Sequence, residues 1–394
     1  VRRTLTIRRG LLERIRAGER ALLRTPEGWA PETVARQRLE GGVGTAIRPP
    51  AETFGGKRDN RLPEITALID PDQLRIITEP NAGVVVIRGG AGTGKTTIAL
   101  HRVAYLHFQD KQRFAAKRIL IITPGDALKR YVARVLPALD VSGVLIQTFP
   151  SWALQTAKRL IPRLKKRKLT DETPVLVGRL KRHPAILKLL ERAVRAEGQA
   201  AEGVLQEAGG EPLLDAWVRR RNAPTMQRLD GVRRWLKTEK GQKAVGNRAI
   251  QARKALDRLK KELGDPVETW AELMTDRKRL LAGFKAFGDP QPESRIDTLV
   301  EFVSRQIEDP ADLKSLDPSH RQGIDGRSIS EGELAGRLDT DDLSLLLRVC
   351  QLKYGRMTGP SGQVANYEHV VVDEAQDLAP IAIQVLCGLT RPGG

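Results

Sequence analysis

Cysteine, aromatic residues and long apolar runs are all scarce in this sequence. Two cysteines, Cys350 and Cys387, occur in 394 residues, which excludes a disulfide-stapled scaffold and fits a reducing cytosol. Aromatic residues make up 4%, so binding dominated by bases stacked on many rings is not expected. The longest apolar clusters, such as Val84–Ile87 and Ile119–Ile122, are strand-sized and fall far short of the ~20 residues that cross a bilayer. The opening VRRTLTIRRG has no apolar core of signal-peptide length. Membrane and secreted classes are therefore set aside, and a cytoplasmic, bacterial-type location is expected. The cysteines and the five histidines fall at no metal-ligand spacing, and both cysteines read as core. The chain opens on Val1 rather than Met, as expected of an excised or processed piece.

Basic residues, in contrast, are plentiful. Lys and Arg total 67 against 48 Asp and Glu, a formal charge of +19. That excess points to a polyanionic partner such as nucleic acid, although an arginine-rich proteome would also produce part of it. The charge is unevenly placed. Residues 1–62 hold 14 basic and 7 acidic side chains, 158–182 hold 10 and 2, and 219–262 hold 15 and 4. Residues 265–348 reverse the balance, with 11 basic and 18 acidic. A solvated helical surface is the plainer account of the two basic windows. Trp217 and Trp235, in the second window, could stack on bases but read more simply as core anchors.

Punctuation and periodicity divide the chain. Residues 1–62 contain one amphipathic stretch, Leu11–Leu23, followed by frequent Pro and Gly, which suggests an N-terminal arm. Residues 63–157 alternate strand and helix signals. A helix at Pro71–Thr78, a buried strand at Val84–Arg88 and a helix from Lys95 to Phe108 come first. A strand at Arg118–Thr123, a helix at Ala127–Leu136 and a strand at Gly143–Thr148 follow. Continuous apolar strands between helices predict an α/β fold with a parallel sheet covered on both faces. From 158 to 340 strand signals vanish and helical spacing takes over, as in Ala252, Leu256, Leu259 and Leu263. Ser319–Gly336 reads as a loop. The α/β pattern returns over 341–394 with the strand Val370–Val372, so a large helical insert is expected within the α/β domain.

Two motifs carry the chemistry. Gly89, Gly90, Ala91, Gly92, Thr93, Gly94, Lys95 and Thr96 match GxxxxGK[ST] between a strand and a helix. The loop amides suit the α- and β-phosphates of a nucleotide, Lys95 the β/γ-phosphates and the Thr96 hydroxyl Mg²⁺. At the end of the last strand stand Asp373 and Glu374, where a parallel sheet presents carboxylates. Asp373 is expected to hold Mg²⁺ through water and Glu374 to deprotonate the attacking water.

GGAGTGKT at Gly89–Thr96 with DEAQD at Asp373–Asp377 resembles the UvrD/Rep-type superfamily 1 helicases, over about 63–160 and 341–394. The resemblance implies a RecA-like P-loop domain interrupted by a helical insert and ATP- and Mg²⁺-dependent movement on single-stranded or partly duplex DNA. It further implies that Gln376 couples the γ-phosphate to motion and that Gln73 reads the adenine edge. Thr97 stands where such enzymes usually carry an Arg against the adenine. Thr123 and Pro124, and Thr148 with Phe149, match elements that contact DNA, although Pro150 replaces a His and Phe149 reads equally as core. His101 and Arg102 lie in a helix shared across the family, where packing is the simpler role.

The chain stops before the family's next motif and second RecA-like domain, which supplies an arginine finger, so weak activity is expected of this piece alone. Asp126–Leu139, Leu343–Lys353 and Thr97 are closer to HelD-type ATPases, which act on RNA polymerase; the family's long antiparallel arm exceeds Leu11–Leu23. The sequence leaves the oligomeric state open.

Overall fold

The computed structural model describes residues 3–8, 11–17, 20–25, 28–31, 71–79, 83–90, 92–170, 172–308, 335–362 and 366–390. The chain divides into two compact units, Val1–Ile65 and Thr66–Gly394.

In the first unit, β1 (Arg3–Arg8), β2 (Leu11–Ala17), β3 (Arg20–Thr25) and β4 (Gly28–Pro31) form an antiparallel sheet in chain order. The amphipathic stretch Leu11–Leu23 is thus not one element but most of a hairpin. Across its strands Ile15 is in register with both Leu5 and Leu22. Gly18, between the strands in sequence, is a poor helix residue and a common hairpin one. The rest of the suggested arm, 32–62, lies outside the described residues.

The second unit mixes a small parallel sheet with many helices. Helix α1 (Pro71–Thr78) precedes α2 (Lys95–Gln109), then β5 (Ile119–Thr123), α3 (Asp126–Ala138), β6 (Leu145–Thr148) and α4 (Phe149–Leu160). The strand pair β7 (Lys168–Leu169) with β8 (Arg337–Leu338) is minimal. Helices α5 (Val175–Arg182), α6 (Pro184–Val218), α7 (Thr225–Leu236), α8 (Glu239–Val245), α9 (Ala249–Leu263), α10 (Pro266–Thr275), α11 (Arg277–Phe287) and α12 (Glu293–Ile307) fill the middle. Then come α13 (Thr340–Tyr354), β9 (His369–Val372) and α14 (Pro380–Cys387). Most of the proposed loop Ser319–Gly336 lies outside the described residues.

The sheet runs β6-β5-β9, both pairs parallel. All five residues of β5 are buried, which is why its sequence is apolar without alternation. Ile119 and Ile121 pack with Leu100, Val103 and Val132 of α2 and α3 on one face. Leu120 and Ile122 join Phe149, Trp152 and the α13 leucines on the other. Burying each such side chain contributes about 1.5–3 kcal/mol.

The strand expected at Val84–Arg88 does not form. Residues 84–90 have no strand or helix assignment, and Val84 and Val86 are 75% and 68% exposed. Val85 and Ile87 are half-buried between exposed neighbours, so the period is that of an extended chain. What it lacks is a ladder: the residues have strand propensity, but stability comes from cross-strand pairing. A cavity of about 550 Å³ separates this segment from β9.

The helices divide between two cores. Helices α4, α5, α10–α14 and the first half of α6 share the core that covers the sheet. The second half of α6 with α7, α8 and α9 encloses its own core, around Leu205, Trp217, Leu229 and Leu256. On α6 the change of core falls between Val194 and Ala201; further on, Gly210, with φ of 67° and ψ of −167°, breaks the helix inside the second core, and its positive φ suits glycine. Arg228 lies 3.6 Å over the Trp217 ring, so Trp217 is a core anchor, and Trp235 packs part-buried against the same core. Helix α13 is buried nearly all round, its leucines alternating with buried polar side chains such as Asp342, Gln351 and Lys353. Its start is fixed by a reciprocal Asp339–Asp342 capping box and by buried Lys181, 2.7 and 2.6 Å from those two carboxylates.

Candidate functional site

The glycine loop closes directly onto α2. Gly92 and Gly94 have φ of 77° and 82°, a region costly for other residues. At Gly89 a Cβ would come within 2.5 Å of the Thr93 hydroxyl, so a side chain there would push that hydroxyl aside. Thr93 Oγ1 donates to the Gly90 carbonyl at 3.0 Å. Lys95 Nζ arches back over the loop and donates to the Gly89 and Gly90 carbonyls at 3.1 and 2.8 Å. Gly94 caps α2 without any side-chain hydrogen bond. The first amides of a 15-residue helix are left without a side-chain cap, a ready anion site.

Parallel strands bring their C-terminal ends to one side. Thr123 and Thr148 are register partners at the ends of β5 and β6. Asp373 N–H extends the β9 ladder by donating to the Ile122 carbonyl at 3.0 Å. Directly after it, Glu374 is left-handed at φ 51°, ψ 48°, one of two described non-glycine residues with positive φ. Such a backbone costs on the order of 1–3 kcal/mol and clusters at functional sites. It turns the chain back, so that Asp373 Oδ1 accepts from Glu374 N at 3.0 Å and the Glu374 carboxylate accepts from Gln376 Nε2.

The two motifs meet in one bond. Thr96 Oγ1 donates to Asp373 Oδ2 at 2.7 Å across 277 positions of sequence. Lys95, Thr96, Asp373, Glu374 and Gln376 all line the cavity beside β9.

The remaining expected residues are placed less uniformly. Ala91 lies outside the described residues. Gln73, half-buried in α1, and Thr97, half-buried in the first turn of α2, do not line the cavity. Phe149 is 3% exposed and packs its ring on Trp152; its aromatic face is spent on the core and is not free for a base. Thr123 is also buried, its hydroxyl donating to the Gly125 carbonyl at 3.3 Å. Of the four residues matched to DNA-contacting elements, Pro124 is exposed and Thr148 part-exposed. Cys350 is buried, and burial pushes its thiol up. Cys387, read as core, is instead exposed on the cavity wall, because α14 ends there.

The matched family is the UvrD/REP helicase N-terminal domain, aligned over residues 69–393. The chain belongs to this family. It is also similar to a "Probable DNA helicase II homolog" from Mycoplasma genitalium, with 43% identity over 94 residues. That stretch covers 23% of this chain and 13% of the relative's length. The glycine loop and the Asp373–Asp377 turn lie inside the matched region, whereas the four-stranded sheet at the N-terminus lies before it.

Among the cavity residues outside the motifs are two further titratable side chains on α2 and β9, Arg102 and His369. Arg102 follows Lys95 at i+7 on the same face of α2, and His369 opens β9. Helical spacing from Lys95 could have pointed to Arg102; nothing in sequence singles out His369. Burial, with Arg102 adding to it, pushes the His369 imidazole down to about 4, and burial also lowers His101. No helix among the described residues is long and apolar enough to cross a membrane.

Proposed function

We propose that residues 66–394 form the nucleotide-binding part of an ATP-driven DNA helicase or translocase, built on a RecA-like sheet with a helical insert at about 158–340. The observation that carries this reading is the Thr96–Asp373 hydrogen bond of 2.7 Å, which joins the phosphate loop to the acidic strand end. Thr96 and Asp373 would hold a Mg²⁺ ion here, the hydroxyl directly and the carboxylate through water, a donor set that suits an ion which gives up its waters reluctantly. When bound, Mg²⁺ would neutralise charge on the β- and γ-phosphates.

The chain's own groups divide the remaining work. Amides of Gly92, Thr93, Gly94, Lys95 and Thr96 surround the phosphates, and Lys95 exchanges two loop carbonyls for phosphate oxygens. Glu374 accepts the proton of the attacking water. Gln376, already bonded to Glu374, senses the γ-phosphate from the exposed side of the turn. Gln73 reads the adenine edge. Single-stranded or partly duplex DNA runs past the strand ends at Pro124 and Thr148 and over the basic helices.

The test is ATP turnover by the full-length protein with and without single-stranded DNA. Stimulation that vanishes in Glu374→Gln while nucleotide still binds supports the reading; turnover that ignores DNA defeats it. RNA polymerase as the main partner rests on the likeness of α3 and α13 to HelD-type ATPases. Stoichiometric capture of purified RNA polymerase in the absence of nucleic acid would move the reading there.

A further inference from the structure

Arg102 is a buried cation without a carboxylate partner within ion-pair distance among the described residues. It is 5% exposed, its Nε has no hydrogen-bond partner, and burial lowers its pKa, with Glu79 and Tyr105 opposing. Holding a guanidinium in such a place is costly, and Leu or Met would fill the volume with less penalty. What only a long donor achieves here is specific. Arg102 Nη1 donates to the carbonyls of Ile76 and Ile77 at 2.8 and 3.2 Å. These lie in the last turn of α1, where helix carbonyls have no intrahelical partner. A cation there also complements the helix dipole.

The geometry points to a role beyond packing. Arg102 and Lys95 occupy one face of α2, two turns apart, and Gln73 lies one turn before Ile76 on α1. A single rigid helix thus carries the phosphate-binding Lys95 at one end and, through Arg102, clamps the helix that carries Gln73. Helix α1 has only eight residues and buries Ile77, and the two Arg102 bonds fasten its C-terminal turn to α2. We propose that Arg102 is a positioning residue for nucleobase specificity: it sets the place of Gln73 relative to the phosphate loop. This rests on the reading of Gln73 as the base-recognising residue in the Proposed function.

The experiment measures equilibrium affinity of the full-length protein for ADP, GDP and inorganic tripolyphosphate with Mg²⁺. For Arg102→Met the expected result is about tenfold weaker ADP binding and an ADP-to-GDP preference falling towards one. Tripolyphosphate affinity should stay within twofold, because the loop is intact. Arg102→Lys, which keeps a donor, should recover part of the preference. Gln73→Ala should lose the preference alone, and the double variant should lose no more than either. Equal weakening of ADP, GDP and tripolyphosphate would overturn the proposal, marking Arg102 as general packing. A preserved preference in Arg102→Met would overturn it as well. If Gln73→Ala keeps the preference while tripolyphosphate binds, the base-reading assignment falls and this proposal with it. If wild-type protein binds neither nucleotide nor tripolyphosphate, the nucleotide site itself fails. Should Arg102→Met not fold, Arg102→Lys and Gln73→Ala decide the outcome.

Discussion

The sheet and the basic helices α7–α9 solve different problems with different economies of residue. Around the sheet, a few polar side chains at strand and helix ends are placed to within a hydrogen bond: Lys95, Thr96, Asp373 and Glu374 all touch one another or the loop. In α7–α9 no such constellation exists; fifteen basic residues are spread over positions 219–262 around a separate apolar core. Several of them are tied to acids in surface pairs, such as Arg233–Asp257 at 2.8 Å and Lys243–Glu239 at 2.6 Å. Such pairs contribute about 0–1 kcal/mol each. The two regions should therefore fail differently: substitution at one atom should disable the first, whereas only summed charge should matter in the second.

The largest contrast is expected from the motif residues. Lys95→Ala or Asp373→Ala should abolish Mg-nucleotide turnover in the full-length protein and leave nucleic-acid affinity within a few fold, as read by hydrolysis and fluorescence anisotropy. Turnover at the wild-type rate in either variant would remove the site. Next comes the independence of the second core. Trp217→Ala should destabilise α7–α9 by about 3–5 kcal/mol, seen as faster amide exchange there, with nucleotide affinity retained. Loss of both together would show that the two cores act as one.

Acid should separate the regions too. The His369 imidazole titrates well below its ordinary value because burial and Arg102 disfavour the charged form. Above the unfolded value near 6.5 both states are neutral. As pH falls from there towards about 4, the unfolded chain takes up the proton first and stability declines. The loss should be about 1–3 kcal/mol by pH 4.5, measured as a shift in the urea midpoint. His369→Gln should remove that part of the pH dependence. The smallest effect is expected from neutralising exposed cations: Lys240, Arg253, Lys254 and Lys261, all to Gln. For every phosphate left without its cation, the salt dependence of nucleic-acid binding should flatten by about 0.7–0.9 in log–log slope, with ATP turnover in the absence of nucleic acid unaffected. An unchanged slope would place the electrostatic surface elsewhere.

Local signals were legible where one element sufficed. The loop and helix at Gly89–Gln109, the buried run of β5 and the acidic end of β9 follow from residue type and spacing, since glycine at positive φ, an apolar strand and a strand-end carboxylate are short-range facts. What sequence could not supply was partnership. Val84–Arg88 has the composition of a buried strand but finds no ladder, because pairing depends on a neighbour distant in the chain. Leu11–Leu23 carries apolar residues that serve a hairpin as well as a helix, and only cross-strand register chose between them. Phe149 fitted both a base-stacking and a core role until Trp152 packed against it. The motifs were determined by sequence alone; the bond from Thr96 to Asp373, the grip of Arg102 on α1 and the division into two cores came from tertiary structure. Each of those joins groups far apart along the chain, and only folding sets their distance.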